Sequence, residues 1–293
     1  MKTLPVPEWL KILVGKNKAA LRSNAALRAE TSISGHALHT VCHAAKCPNR
    51  GECFNCGDAT FMVLGEICTR GCRFCAVTKS RPLPPDPQEP ARVAEAIKEW
   101  GILYAVLTMP TRDDLADGGA AHFARVLRAI HAKVPAVKTE PLISDLGGSA
   151  AALQTILEAR PDVLAHNVET VPALYDRVRI GADYQRTLTL LETSKKRAPG
   201  VLTKTGFMVG LGETPAQITG LMKDLRSAGV DLLTIGQYLA PSAQHYPVQR
   251  YPEPAEYEAW QQEALSLGFK GVASGPLVRS SYRAGALYRQ ATQ

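Results

Sequence analysis

No stretch of this chain reaches the roughly 18–20 consecutive apolar residues that a membrane-spanning helix needs. The N-terminal MKTLPVPEWLKILVGKNKAA also lacks the long apolar segment and small-residue cleavage site of a secretory leader. These two absences predict a protein with no membrane partner. They place it in the cytoplasm, or in the reducing lumen of an organelle if a transit peptide has been removed. Aromatic residues make up only 6% of the chain and its basic residues are dispersed, so no nucleic-acid partner is expected. Cysteine is missing before Cys42 and again after Cys75. An odd count of seven thiols, kept in a reducing compartment, argues for metal ligands or catalytic groups over disulfides.

What is present suits one globular chain with a substantial core. There are 293 residues, 45% of them hydrophobic and 21% charged. The formal charge of +7 serves either solubility or the steering of an acidic partner. From Ala59 onward, β-rich runs alternate with helical patterns. The candidate strands are Phe61–Ile67, Leu103–Met109, Ala136–Leu142, Val163–Glu169, Leu202–Gly210 and Leu232–Leu239. Between them lie segments such as PARVAEAIKEWG, AAHFARVLRAIHA and PAQITGLMKDLRSAG. This alternation predicts parallel strands joined by crossover helices. Six such units fall short of a closed eight-fold barrel, so the expected fold is α/β, a partial (β/α)6 TIM-like barrel.

Three segments follow. Residues 1–58 form an N-terminal extension with a Trp9-Leu10 anchor, a basic helix near Lys18–Glu30 and the first cysteine loop. Residues 59–275 form the partial barrel, and residues 276–293 a C-terminal segment. The Pro-rich Arg81–Pro90 reads as a stiff connection, and the turn-rich Ala240–Pro254 is long enough to be functional. In such folds chemistry gathers at the C-terminal strand ends, where Glu140, Asn167, Glu169, Lys204 and Gln237 fall.

Cys68, Cys72 and Cys75 form CTRGCRFC, a CxxxCxxC directly after the first strand. Three thiolates so spaced bind three irons of a [4Fe–4S] cube and leave the fourth iron open. Half of a zinc site is the plainer alternative. Spacing and placement resemble the radical S-adenosylmethionine (SAM) superfamily, in which the amino and carboxylate groups of SAM chelate that iron. Cys42, Cys47 and Cys53 form CHAAKCPNRGEC. Flanked by LHTV and FNCGDATFM, it resembles the auxiliary-cluster motif of the lipoyl synthase family. RDDLADGGA, HNVETV, KTGFMVGLGET, LTIGQYLAPSAQHYPV and VASGPLVRSSY continue the resemblance in the family's order, from about residue 38 to about residue 284.

Several of these segments also have local physical readings. In GLGETP, Gly210 and Gly212 permit a tight turn, Thr214 is a good N-cap and Pro215 a good first helical residue. In DGGA, Asp117 and two glycines open a helix whose free N–H groups would suit a carboxylate or sugar hydroxyl. Taken alone, the serines of RSSY would be a helix cap.

The resemblance implies a radical SAM sulfurtransferase. Cys68, Cys72 and Cys75 would hold the SAM-binding [4Fe–4S] cluster. Cys42, Cys47 and Cys53, with Ser281 favoured over Ser280, would hold an auxiliary [4Fe–4S] cluster over which the C-terminal segment closes. Glu140, Asn167, Glu169 and Lys204 are the positional candidates for SAM contacts. A 5′-deoxyadenosyl radical would abstract hydrogen from an octanoyl-lysine, and sulfur from the auxiliary cluster would enter at C6 and C8. The implied partners are an octanoylated lipoyl carrier domain or glycine-cleavage H protein, and an electron donor such as ferredoxin or flavodoxin. Other readings are a methylthiotransferase, which would need an RNA-binding module, or biotin synthase, which would need ligands on later strands. A zinc-binding interaction module is the non-enzymatic alternative. Three departures from the family stand out: Cys56, which completes CFNC and allows a Cys47/Cys53/Cys56 register; His43-Ala44, where acidic residues are usual; and MPT at Met109–Thr111.

Overall fold

Ser23 divides the N-terminal extension. In the computed structural model, which describes residues 4–293, α1 (Glu8–Ala20) and α2 (Asn24–Gly35) flank it, and its hydroxyl accepts the Ala26 N–H as an N-cap. The single helix expected near Lys18–Glu30 is therefore parts of two, because the serine side chain competes for helix donors. Leu10 is fully buried in α1.

The first cysteine window follows as β1 (His39–Thr40), α3 (Val41–Ala44) and α4 (Arg50–Asn55). Next come β2 (Thr60–Met62), β3 (Ile67–Cys68) and β4 (Thr78–Lys79). Regular alternation then sets in: α5 (Glu89–Glu99), β5 (Tyr104–Thr108), α6 (Ala120–Lys133), β6 (Lys138–Leu142), α7 (Ala150–Leu157) and β7 (Val163–Ala165). It continues through α8 (Tyr175–Val178), α9 (Tyr184–Arg197), β8 (Leu202–Val209), α10 (Pro215–Ser227), β9 (Leu232–Gln237), α11 (Pro254–Ser266), β10 (Gly271–Gly275) and α12 (Ala284–Thr292).

Two units can be distinguished. The first comprises residues 12–70 and 76–164. Its strands run in the order β1-β2-β5-β6-β7, with β1 antiparallel to β2, and β2, β5 and β6 parallel. A separate parallel pair joins β3 to β4. The second unit comprises the chain up to Lys11, residues 71–75, and Ala165 to the C-terminus. Its strands β8, β9 and β10 are parallel. Parallel neighbours require crossovers, and the helices supply them.

Each expected strand has its counterpart; the two-residue β1, β3 and β4 are additional, and so is β10. It lies in VASGPLVRSSY, where Ala273, Ser274 and Gly275 give little β-branched signal. In the second unit every position of β9 is buried, the mark of a parallel strand covered on both faces. α10 sets Ile218, Leu221, Met222 and Leu225 into the same core. The i, i+3, i+4, i+7 spacing puts them on one face. Losing one such side chain costs about 2–5 kcal/mol. The helix opens on Thr214 in a capping box with Gln217, with Pro215 at its first turn, as the sequence predicts. At the foot of β9, Asp231 accepts from Lys195 (2.7 Å), Lys270 (3.0 Å) and the Thr203 N–H (3.1 Å).

Candidate active site

In the first unit, α3, α4 and the loop between them carry the leading thiols. Gly51 lets α4 press against α1, since a Cβ there would lie 2.1 Å from the Asn17 carbonyl oxygen. Asn17 Nδ2 donates to Asn49 Oδ1 (3.2 Å), and Asn55 Nδ2 to the Ala20 carbonyl (3.1 Å). Cys42 is buried, Cys47 and Cys53 are half-buried, and Cys56 is exposed. Burial and then the neighbouring Cys47 push the Cys42 thiol up to about 11, against a backbone hydrogen bond at Thr60 and the charge of Arg50. Cys53 is raised further, by burial first, then by Cys47 and Cys42, with Asp58 and Glu52 adding to it. Thiols held up in this way, as Cys42 and Cys53 are, are poor nucleophiles and need a cationic centre to become thiolates. That donor set fits an iron–sulfur cluster. Among the described residues no group of His, Cys, Asp or Glu forms a preassembled metal-ion site. His43 bridges the Glu30 carboxylate (2.6 Å) and the Thr40 hydroxyl (2.7 Å). The departure at His43 thus ties α3 to α2.

Cys68 ends β3, and its sulfur accepts the Arg70 N–H at 3.5 Å. Arg70 is anchored to both oxygens of Asp113 (2.9 and 2.8 Å) and to Asp145 (2.7 Å). Burial alone would lower its pKa, but the hydrogen bonds to Asp113 and Asp145 outweigh this and raise it. The Thr69 N–H donates to the Thr111 carbonyl (3.0 Å), so the MPT segment braces this stretch.

In the second unit, Cys72 and Cys75 share a turn closed by the Cys75 N–H on the Cys72 carbonyl (3.3 Å). The Arg73 N–H donates to the Val178 carbonyl (2.9 Å), and the Arg73 carbonyl accepts the Tyr246 N–H (2.8 Å). His245 Nε2 lies 3.2 Å from the Cys75 carbonyl, and the Arg73 and Arg177 guanidiniums both sit over the Tyr246 ring. The long loop at 240–254 therefore grips the cysteine turn.

Residues 62–225 match the Radical SAM superfamily. Over 282 residues the chain is 51% identical to the lipoyl synthase of Caldanaerobacter subterraneus subsp. tengcongensis, covering 96% of each. Over 279 residues it is 50% identical to the lipoyl synthase of Proteus mirabilis, covering 95% of this chain and 85% of that one. The chain belongs to the lipoyl synthase family. Its fold is also similar to that of HydG, a maturase of the [FeFe]-hydrogenase, with a TM-score of 0.59 at 11% identity over 92% of this chain and 68% of that one. The α/β fold expected from the strand–helix alternation is thus a radical SAM fold.

The remaining polar residues of this lipoyl synthase family member sort by environment. In the second unit Asn167 donates to Glu169 (3.0 Å), while its buried Oδ1 has no partner. Glu169 adopts a φ of +67°, rare for a side-chain-bearing residue and common at functional sites. Burial pushes its carboxyl up, opposed by the Arg179 charge and the Asn167 hydrogen bond. Lys204 is buried in β8, and Ser281 is half-buried beyond β10. In the first unit Glu140 is buried on β6 and accepts from the Tyr104 hydroxyl (2.6 Å).

Two expectations need correcting. Asp117 itself accepts the Gly119 and Ala121 N–H groups (2.9 and 2.7 Å), so those donors at the start of α6 are not free for a ligand. Gln237 is saturated: its Nε2 donates to the carbonyls of Val209, Tyr238 and Arg250, and its Oε1 accepts from Tyr257. It is a brace within the fold. Sequence reasoning also missed Arg179, a buried guanidinium donating to Tyr175 (2.8 Å) and Thr187 (3.0 Å). Burial would lower its pKa, but Tyr175, Glu169 and Cys72 together raise it. Nothing in the spacing of VRIGADY marks it.

Among the described residues no helix is long and apolar enough to cross a membrane.

Proposed function

We propose that this chain is a lipoyl synthase that inserts sulfur at C6 and C8 of an octanoyl-lysine on a carrier protein. The observation that carries the reading is the Cys42/Cys47/Cys53 triplet, with Cys42 and Cys53 raised chiefly by burial, together with a separate CxxxCxxC in a chain about half identical to lipoyl synthases over nearly its whole length. Cys68, Cys72 and Cys75 would hold the SAM-binding [4Fe–4S] cluster, and Cys42, Cys47, Cys53 and Ser281 the auxiliary one. When bound, these groups supply reductive cleavage of SAM, hydrogen abstraction from an unactivated C–H bond and the two sulfurs, chemistry beyond side-chain acids and bases.

The chain's own residues bind and orient. The unpartnered Asn167 Oδ1 offers an acceptor to a donor on SAM, and Glu169 beside it offers a carboxylate. Glu140 and Lys204 are the further candidates for SAM contacts. Arg179 offsets the negative charge gathered at a thiolate-rich cluster. Functionally, residues 1–58 carry the auxiliary thiols, 59–275 the SAM chemistry, and 276–293 the serine ligand. The partners are a lipoyl carrier domain or glycine-cleavage H protein and a ferredoxin- or flavodoxin-like donor, in a reducing compartment such as the cytoplasm.

The deciding experiment is mass spectrometry of an octanoylated carrier peptide incubated anaerobically with enzyme, SAM and reductant. A gain of two sulfurs is expected. No gain from a protein with intact clusters, or about one zinc and no sulfide on metal analysis, would sink the reading. Replacing Cys53 or Cys68 by Ala should each lower iron from about eight to about four per chain.

A further inference from the structure

The stretch bearing Cys68, Cys72 and Cys75 is bounded by Leu64 and Leu83, and one buried side chain holds both bounds. Arg112 is 1% exposed. Its Nη1 donates to the Leu64 carbonyl (3.0 Å) and its Nη2 to the Leu83 carbonyl (2.9 Å). Nε and Nη2 also engage the two oxygens of Asp114, each at 2.8 Å. From the other side, the Leu64 N–H donates to the buried Glu89 carboxylate (2.9 Å). The same carboxylate oxygen lies 2.7 Å from His122 Nε2, and Arg125 stands 3.0 Å from His122 Nδ1. Both peptide groups of Leu64 are therefore held by buried charged side chains.

Leu64 needs holding. Its φ is +70°, a left-handed conformation that leucine does not adopt unless its surroundings over-determine it. Room for that turn comes from Gly119, where a Cβ would lie 2.5 Å from Leu64 Cδ1. The chain bends here as it leaves β2 on its way to Cys68. The clamp also depends on the shape of arginine. A planar fork reaches two carbonyls and a carboxylate together, whereas an ammonium group is a single point.

We propose that Arg112 and Glu89 are positioning residues for the SAM-cluster loop. They fix the left-handed turn at Leu64 and close the loop at its base, so that Cys68 is presented in a set geometry to the cluster. The inference rests on the reading that Cys68, Cys72 and Cys75 bind the SAM-binding cluster, and the test separates the two.

Full-length Arg112→Lys, Glu89→Ala, Glu89→Gln and Glu89→Ala/Leu64→Gly proteins would be compared with wild type. The readouts are hydrogen exchange over residues 64–70 before reconstitution, and the SAM-induced change in the electron paramagnetic resonance of the reduced holoenzyme. Arg112→Lys and Glu89→Ala should speed exchange there at least tenfold and cut the SAM-responsive signal at least fivefold. Auxiliary iron, about four per chain, should remain. Glu89→Gln keeps an acceptor for the Leu64 N–H and should restore most of the signal. Leu64→Gly should restore part of it in the Glu89→Ala background, because glycine takes a positive φ freely. Exchange and signal within twofold of wild type, equal loss of both clusters, or no rescue by either second variant would overturn the proposal. If wild type itself gives no SAM-responsive signal, the cluster assignment falls and the inference with it.

Discussion

Asp231 is the residue whose titration most directly supports the second unit. Burial alone would raise its carboxyl, but hydrogen bonds from Lys195, the Thr203 N–H and Lys270 together depress it. A depressed folded-state value means stabilisation that is fully present above the unfolded pKa, near 3.9, and lost as pH falls through the lower folded value. Asp231→Asn should therefore cost roughly 1–3 kcal/mol near neutrality, less than a fully buried pair because Lys270 is half exposed. Urea unfolding should show the gap to wild type closing below about pH 4. At this scale the sequence announces residues whose chemistry is intrinsic. Thiol spacing marks the proposed cluster ligands, and polar side chains at strand ends mark Asn167 and Glu169 as candidates. It hides residues whose roles are assigned by tertiary partners. Arg112, Arg179 and Gln237 act on carbonyls and hydroxyls far away in the chain, and no spacing encodes those. Asp117 shows the opposite error, because a good capping residue satisfies the donors that would otherwise await a ligand.

Among the elements, β9 and the segment after β10 depend on one glycine. A Cβ at Gly236 would lie 2.1 Å from the Val278 carbonyl oxygen, and backbone cannot yield as a flexible side chain would. Gly236→Ala should cost roughly 1–3 kcal/mol by overpacking. It should also displace the segment that leads to Ser281, lowering auxiliary iron before SAM-cluster iron. Calorimetry and iron analysis on the same preparation check both parts. Long amphipathic helices and β-branched strands were legible because periodicity and propensity agree there; α6 and β5 are examples. α3 and α4 were not, since helices of four and six residues complete less than two turns and show no period. The two-residue β1 is hidden for the same reason, and β10 by its small side chains.

For the whole molecule, charge is the property most open to measurement. A net +7 predicts electrostatic steering of an acidic carrier, so its association rate should fall several-fold between about 50 and about 200 mM salt. A KM for the carrier that does not move with salt would remove electrostatics from recognition. The alternation of strands and helices was readable at this scale. The interleaving of the two units was not, because the chain passes between them after Lys11, Arg70, Cys75 and Leu164 with no change in composition at those points.

Cys56, alone among the seven thiols in being exposed, has a practical use. A maleimide dye would attach there if the proposed clusters occupy the other six cysteines. Its N–H bonds the Cys53 carbonyl at 3.0 Å, so the dye would ride on the helix that bears a proposed auxiliary ligand. Quenching by the adjacent iron would then make the consumption and rebuilding of the sulfur donor visible as light, in real time and in a single enzyme preparation.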